Sequence, residues 1–263
     1  EKAANAYATT PTGTTWVKVA GLLLQASGTA TKPISFSWNG TGAKPIITNG
    51  DGVGAIDYII GLAGSDYVTI DGLELQDTTP HTSAFTVAQH TAANNLHAEI
   101  GIGLFKKRYS STLGNDGSKF VTIKNCTIDL TRWPNGSTNY SYNDGYGTYY
   151  GLSKKSWSRG VFATRYTAIG TGEAPTYYPF YAANRTTGIK TQNDVHDNCN
   201  VVGNTINDVS IGVEWDDSWI KSGVNFFAGT NNIIGKIGEG NTITNWGPQP
   251  AASNATAYNY MVS

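Results

Sequence analysis

A short unit of two apolar segments separated by a bend recurs along this chain and constrains its fold more than any other feature. The copies are YVTIDGLELQD (Tyr67 to Asp77), FVTIKNCTIDL (Phe120 to Leu130), CNVVGNTINDV (Cys199 to Val209) and GEGNTITNWG (Gly238 to Gly247). In the first three copies, alternation of apolar and polar residues predicts two short strands around a turn. One such unit cannot bury its apolar face alone, so the copies are expected to stack.

The copies match one another at their apolar positions. The first copy has Val68, Ile70, Leu73 and Leu75, the second has Val121, Ile123, Cys126 and Ile128, the third has Val201, Val202 and Ile206, and the fourth keeps Ile243. Three asparagines, Asn125, Asn204 and Asn241, fall at the bend and are followed closely by Thr and Ile. Amides stacked at a bend can satisfy one another along the repeat axis. The pattern therefore predicts a structural role for these asparagines.

The composition favours strands over helices. The chain has 31 glycines among 263 residues, and glycine is unfavourable in helix interiors. No window shows sustained helical spacing of apolar residues. The copies are unevenly spaced, and long excursions run from Asp77 to Ala98 and from Arg132 to Arg185. Loops of this length are usually functional or packed as surface substructures, so any chemistry is expected there or in the turn around Asp216.

Charge and cysteine content exclude several classes. Lys and Arg number 18 against 19 Asp and Glu, for a net charge of −1, which gives no electrostatic basis for binding nucleic acid. No apolar run is long enough to span a membrane. Cys126 and Cys199 are too few for a disulfide framework. Two buried thiols are the favoured interpretation, and one bridge between them stays open.

The sequence is interpreted as a single domain over residues 1–263, with a lead-in at 1–15, rungs at 16–247 and an exit segment at 248–263. The first residue is Glu1 and the single methionine is Met261, which favours a processed protein or a fragment of a longer chain with flanking domains. Low charge and abundant Tyr, Trp and Gly favour an extracellular or cell-surface location.

The motif V-T-I-x-x-x-x-I, with N-T-I at its second strand, resembles the rungs of right-handed parallel β-helix, pectate-lyase-like proteins. GTATKPISF, VTIDGLEL and VTIKNCTI are similar to repeat regions of secreted and surface proteins of Bacteroidetes type. The resemblance implies an all-β solenoid with long loop excursions. At roughly 20 to 45 residues per repeat, it implies about six to thirteen rungs. Such proteins include polysaccharide lyases, glycoside hydrolases and adhesin-like proteins, so the activity stays open.

Two acidic clusters are candidates for catalysis. Asp216 and Asp217 follow a strand, as paired carboxylates do in polygalacturonase-like hydrolases, but this chain lacks a Gly-His-Gly motif. Asp194, His196 and Asp197 offer a general base or calcium ligands, although a polar turn before the third repeat is the simpler explanation. The enzyme alternative thus uses Lys190, Asp194, His196, Asp216 and Asp217. No cofactor is expected, and calcium is the one ion left open.

Aromatic residues offer a binding function instead. Aromatic rings stack on the apolar faces of sugars, and the candidate residues are Trp133, Tyr146, Tyr149, Tyr150, Trp157, Trp215 and Trp219. The leading hypothesis is an extracellular scaffold or adhesin-type surface protein that binds polysaccharide through its aromatic loops. The alternatives are a polysaccharide lyase or glycoside hydrolase, and a purely structural stalk or filament segment.

Overall fold

The structure of the protein is a computed structural model that describes residues 21–38, 40–48, 58–77, 98, 100–110, 114–130, 158–167, 195–209, 211–216 and 229–246. Side chains within 108–110, 114–115, 164–167 and 216 are outside this description. These residues form sixteen strands. The chain winds through three strands per turn, so the strands group into five rungs.

The rungs follow one another in chain order. Rung 1 is β1 (Leu22–Leu24), β2 (Ile34–Ser37) and β3 (Ile46–Thr48), and rung 2 is β4 (Tyr58–Ala63), β5 (Val68–Asp71) and β6 (Glu74–Gln76). Rung 3 is β7 (Ile100–Ser110), β9 (Thr122–Lys124) and β10 (Thr127–Asp129), with β8 (Gly114–Asp116) as an added strand. Rung 4 is β11 (Arg159–Thr167), β12 (Asn200–Val202) and β13 (Thr205–Asn207), and rung 5 is β14 (Ile211–Asp216), β15 (Ile233–Ile234) and β16 (Thr242–Thr244).

Each rung contributes one strand to each of three sheets. The first sheet has the order β1-β4-β7-β11-β14, the second β2-β5-β9-β12-β15 and the third β3-β6-β10-β13-β16. All pairings between rungs are parallel, whereas β8 pairs antiparallel with β7. This arrangement is a parallel β-helix, so the predicted fold class is confirmed.

The strand register confirms the alignment of the repeats except at Val202, which pairs with Lys124 and not with an apolar residue of the second copy. In the third sheet, Ile47, Leu75, Ile128, Ile206 and Ile243 occupy successive rungs of one column. In the second sheet, the corresponding column is Phe36, Ile70, Ile123, Val201 and Ile234. The middle members of both columns are buried in one continuous apolar core. Stacking therefore buries the face that an isolated rung would expose.

Glycines bring the first and third sheets close together. A Cβ on Gly101, Gly160 or Gly212 would meet an isoleucine side chain of the third sheet, from Ile128, Ile206 or Ile243 respectively, at 2.4–2.5 Å. The same Cβ on Gly160 would lie 2.6 Å from the carbonyl oxygen of Gly212 in the next rung. Each of these isoleucines therefore fills the space that a side chain on the facing strand would need.

The described stack has fewer rungs than the six to thirteen expected from chain length. The strands of rungs 2, 3, 4 and 5 pair directly with one another, so these four rungs are consecutive in the stack. Residues 78–97, 131–157 and 168–194 separate their strands in the sequence and are called the insertions. No helix among the described residues is long and apolar enough to cross a membrane.

Candidate functional site

The corner between the second and third sheets holds a ladder of hydrogen bonds along the helix axis. Asn204 is fully buried. Its Oδ1 accepts from the Cys126 amide at 3.0 Å, and its Nδ2 donates to the Ile123 carbonyl at 3.0 Å. Asn241 repeats the arrangement one rung later, where its Oδ1 accepts from the amide of Asn204 at 3.1 Å and its Nδ2 donates to Val201 at 2.7 Å. The two side chains also bond to each other at 2.9 Å.

Asn125 lies one position earlier in the repeat than the other two asparagines. The pairing of Ile128 with Ile206 aligns Asn204 with Cys126, and it aligns Asn125 with Gly203. Asn125 has a φ of 54° and Gly203 one of 64°, so this position requires the left-handed conformation that Asn and Gly tolerate best. The Asn125 side chain is exposed. Its Nδ2 donates to Asp71 Oδ1 at 2.8 Å, a contact at the surface of the corner.

A second ladder stands at the corner between the first and second sheets, and the sequence alignment does not detect it. Asn232 Oδ1 accepts from the Cys199 amide at 3.0 Å, and its Nδ2 donates to the His196 carbonyl at 2.9 Å. Register places Cys199 beside Asn232, as it places Cys126 beside Asn204. Asn232 escapes notice in the sequence because NNIIG lacks the following Thr of N-T-I.

The two cysteines are buried and unbridged. Burial raises the pKa of the Cys126 thiol above its usual value. Its Sγ lies 3.2 Å from the Lys124 carbonyl oxygen, and Cys199 Sγ lies 3.4 Å from that of Asp197. Both thiols are core side chains.

We expect neither cysteine to react with Ellman's reagent at pH 8 within minutes in the native protein, and both to react after denaturation. Burial blocks access of the reagent, and the raised pKa of Cys126 lowers its thiolate fraction. The measurement is the number of reactive thiols with and without denaturant. As a control, dithiothreitol should leave the melting temperature unchanged, because there is no disulfide between the two cysteines to reduce. Rapid native labelling of either cysteine would contradict the structure.

His196, a candidate general base, is fully buried at the corner that precedes β12. Its Nδ1 accepts a hydrogen bond from the Ser118 amide at 2.9 Å, and its ring meets that of Trp215 edge-on at 6.3 Å between centroids. A side chain in this position holds two rungs together and does not face a polymer on the surface. Neighbouring Asp197 is also engaged, since its Oδ1 accepts from the Thr230 amide at 2.7 Å.

Trp215, a candidate sugar-binding residue, packs against the core. It pairs in register with buried Ala163, and its strand neighbour Val213 is also in the core. Alternation along β14 therefore directs Trp215 inward. Its indole Nε1 is buried and has no hydrogen-bond partner. Trp215 is thus partly buried against the core, and its role in sugar binding stays a prediction.

The other predicted site residues lie outside the described part of the chain, as does the side chain of Asp216. They are Lys190, Asp194, Asp217, Trp133, Tyr146, Tyr149, Tyr150, Trp157 and Trp219. The structure therefore brings together only His196 and Trp215 from the two predicted sets. No group of three or more His, Cys, Asp or Glu side chains suited to a metal ion occurs in the described part of the chain.

The outer face of the first sheet carries a charged and aromatic cluster that sequence reasoning missed. Val161 and Ala163 point into the core, so Phe162 between them points outward, and Glu214 does so beside it in register. The Arg159 guanidinium lies over the Phe162 ring at 4.6 Å, and its Nε forms an ion pair with Glu214 Oε2. We call these three residues the outer cluster. In the sequence, the outer cluster is indicated by the alternation of core-facing and outward-facing residues in RGVFAT and IGVEWD.

The outer cluster is largely covered, and Glu214 is its most exposed member. Phe162 is buried, and the side chain of Glu214 keeps more than a quarter of its surface exposed. The Glu214 carboxylate can accept hydrogen bonds from the hydroxyl groups of a sugar, whereas the Phe162 ring is buried under the Arg159 guanidinium and supports the ion pair from below. The insertions at 131–157, 168–194 and 217–228 all adjoin strands of this sheet, namely β11 and β14.

Burial shifts the pKa of the Asp66 carboxyl. Desolvation by burial raises the pKa of Asp66 above its usual value, and the negative charge of Asp116 raises it further. The hydrogen bond that the Lys119 amide donates to Asp66 Oδ1 at 2.8 Å lowers the pKa, but by less than desolvation raises it. The folded state therefore holds the proton more tightly than the unfolded state does. The ionised carboxylate destabilises the fold above this pKa, and the penalty disappears as pH falls through it.

We expect Asp66→Asn to raise the free energy of unfolding at pH 7 by up to about 1 kcal/mol, a small effect because the group is partly exposed and screened by solvent. Asparagine keeps the Oδ1 acceptor and removes the charge. The gain should vanish below about pH 3, where the carboxyl is protonated in both states. Urea denaturation at the two pH values checks this, and a larger gain at the acidic pH would contradict it.

Comparisons with known proteins add little to this geometry. No protein-family model matches the chain, and no curated protein sequence does. The chain is similar to the crystal structure of GH136 lacto-N-biosidase from Eubacterium ramulus, with a TM-score of 0.34 and 12% sequence identity. The similar region covers 88% of this chain and 49% of that enzyme's chain. The chain thus spans about half the length of that enzyme. The parallel β-helix fold is shown by the strand pairing itself.

Proposed function

We propose that this chain is the β-helix scaffold of an extracellular or cell-surface protein, and that it binds polysaccharide on the outer side of the first sheet. The observation that carries the proposal is the outer cluster, in which Arg159 and Glu214 flank Phe162 on the outside of the helix. Polar residues at the corners serve a different purpose, since Asn204, Asn232 and Asn241 bond one rung to the next.

We include the long insertions in the proposed binding surface because of their positions in the sequence. Tyr146, Tyr149 and Tyr150 belong to the segment that leads into β11, the strand of Arg159 and Phe162. Trp219 belongs to the segment that follows β14, the strand of Glu214. Aromatic residues in these segments would add stacking platforms to the outer cluster.

The test is a panel of acidic and neutral polysaccharides, read by affinity electrophoresis for binding and by assays for new reducing or unsaturated ends. We expect binding without new ends. Tyr149→Ala combined with Tyr150→Ala, and separately Glu214→Gln, should weaken that binding at least tenfold. Thr205→Glu, a substitution at an exposed position of β13 in the third sheet, is the matched control and should leave binding unchanged.

Two outcomes would overturn the proposal. New ends from any polysaccharide would favour the alternative of a lyase or glycoside hydrolase, and the candidates Lys190, Asp194, Asp216 and Asp217 would then be replaced one at a time. Absence of both binding and new ends across the panel would favour a purely structural stalk or filament segment.

A further inference from the structure

The corner between the first and second sheets carries two aromatic residues in an unusual backbone conformation. Tyr67 and Phe120 have φ angles of 51° and 57°, in the left-handed region that bulky residues rarely adopt. The register aligns them in successive rungs, and the same column continues with Asn198 and Asn231, whose φ angles are 56° and 55°. Asparagine tolerates this conformation better than an aromatic residue does. The corner therefore keeps two aromatic rings at a conformational cost.

The ring of Phe120 has one covered face and one open face. Tyr67 stacks on the covered face, with the ring centroids 4.5 Å apart and 9° between the ring planes. Phe120 nevertheless keeps 43% of its surface exposed. Its other face is directed toward rung 4, where Asn198 follows in the column at about 4.8 Å. An asparagine amide is smaller than a phenyl ring, so the outer part of this face stays open to solvent.

Two amide side chains continue the column beyond this open face. Asn231 Nδ2 donates to Asn198 Oδ1 at 3.3 Å, and within the described part of the chain Asn198 Nδ2 and Asn231 Oδ1 form no other hydrogen bond. The charged neighbours are engaged, since Lys119 Nζ lies 3.5 Å from Asp116 Oδ1 and Asp197 Oδ1 accepts a backbone hydrogen bond at 2.7 Å. The corner thus combines an aromatic face with a donor and an acceptor that are both neutral.

We propose that this corner binds one ring of a neutral pyranose oligosaccharide. The apolar C–H face of a glucose or galactose unit stacks on the open face of Phe120, and its hydroxyl groups bond to Asn198 Nδ2 and Asn231 Oδ1. Tyr67 supports the Phe120 ring from the opposite side. Strained residues cluster at binding sites because function retains them there, and this explains why aromatic residues occupy positions that asparagine fills in rungs 4 and 5.

The corner site is distinct from the outer cluster. The described chain passes this corner without a break in all five rungs, at residues 27–37, 64–71, 116–124, 195–202 and 229–235. The outer cluster lies on β11 and β14 of the first sheet and shares no residue with the corner. The two binding surfaces can therefore fail or succeed separately.

The test is an NMR titration of ¹⁵N-labelled protein with cellotetraose and with β-1,4-galactotetraose. We expect saturable shifts of the amide signals of Phe120, Asn198 and Asn231. Phe120→Asn removes the stacking face, so it should weaken binding at the corner by about tenfold. Because asparagine suits the left-handed conformation, the melting temperature should change by no more than about 3 °C.

Two glycine variants separate the hydrogen bonds from the backbone conformation. Asn231→Gly removes the Oδ1 acceptor and keeps the left-handed conformation, so it should weaken binding by about fivefold. Asn245→Gly is the matched control, because Asn245 is an exposed asparagine with a φ of 49° at a different corner, and it should leave binding unchanged.

Absence of shifts at the corner with both tetrasaccharides would overturn the proposal, as would unchanged binding by the folded Phe120→Asn variant. Shifts confined to Arg159, Phe162 and Glu214 would overturn the corner site while supporting the outer cluster.

Discussion

Replacing Asn204 with alanine is expected to lower the free energy of unfolding by about 2 to 6 kcal/mol. The substitution deprives the buried Cys126 amide of its acceptor, which costs about 1 to 3 kcal/mol, and it removes two further hydrogen bonds worth about 0.5 to 1.5 kcal/mol each. A loss of this size is a large part of the stability of an ordinary domain. Urea denaturation followed by circular dichroism measures it.

Asn125→Gly is the matched control for Asn204→Ala. Glycine adopts the left-handed conformation of this position without steric cost, and the lost hydrogen bond to Asp71 is exposed. The change in unfolding free energy should therefore stay within about 1 kcal/mol. Equal effects of the two substitutions would show that the ladder is not the stabilising element of this corner.

Gly160→Ala is expected to cost about 3 kcal/mol, at the upper end of the usual overpacking penalty. The new Cβ would lie 2.4 Å from Ile206 Cγ2 and 2.6 Å from the Gly212 carbonyl oxygen. The side chain can shift, but the carbonyl belongs to the sheet and cannot move without breaking the pairing of β11 with β14. Thermal and urea denaturation of the variant provide the measurement.

Gly240→Ala serves as the control for this substitution, because a Cβ there meets nothing within 4 Å and should change stability by less than about 0.5 kcal/mol. Adding Ile206→Ala to Gly160→Ala removes one of the two clashes. The double variant should therefore lose less stability than the sum of the two single losses. Simple additivity would contradict close packing between the first and third sheets.

The fold was largely predictable from the sequence because alternation and stacking are local signals. Val68, Ile70, Val121 and Ile123 carry the strand pattern visibly, and their register follows the alignment of the copies. The first sheet was harder to predict. Its strand β11 is separated from its repeat by residues 168–194, and glycines such as Gly160 carry no apolar pattern although packing requires them.

The candidate site was less predictable, since residue type does not fix the direction of a side chain. His196 and Trp215 have the chemistry of a base and of a sugar platform, yet His196 is fully buried and Trp215 packs against the core. Asn125 and Asn204 look equivalent in N-C-T-I and N-T-I, but one residue of offset places the first at the surface and the second in the core. The ion pair between Arg159 and Glu214 joins residues 55 positions apart, and only the pairing of β11 with β14 brings them together.

Methyl NMR spectroscopy tests the stacked architecture most directly. In protein labelled at isoleucine δ1 methyl groups, Ile128 and Ile243 each neighbour Ile206 in the third sheet, with rungs about 4.8 Å apart. The stacked rungs should give strong cross-relaxation peaks from Ile128 to Ile206 and from Ile206 to Ile243, with a much weaker peak between Ile128 and Ile243. Absence of both strong peaks in the folded protein would contradict the parallel β-helix.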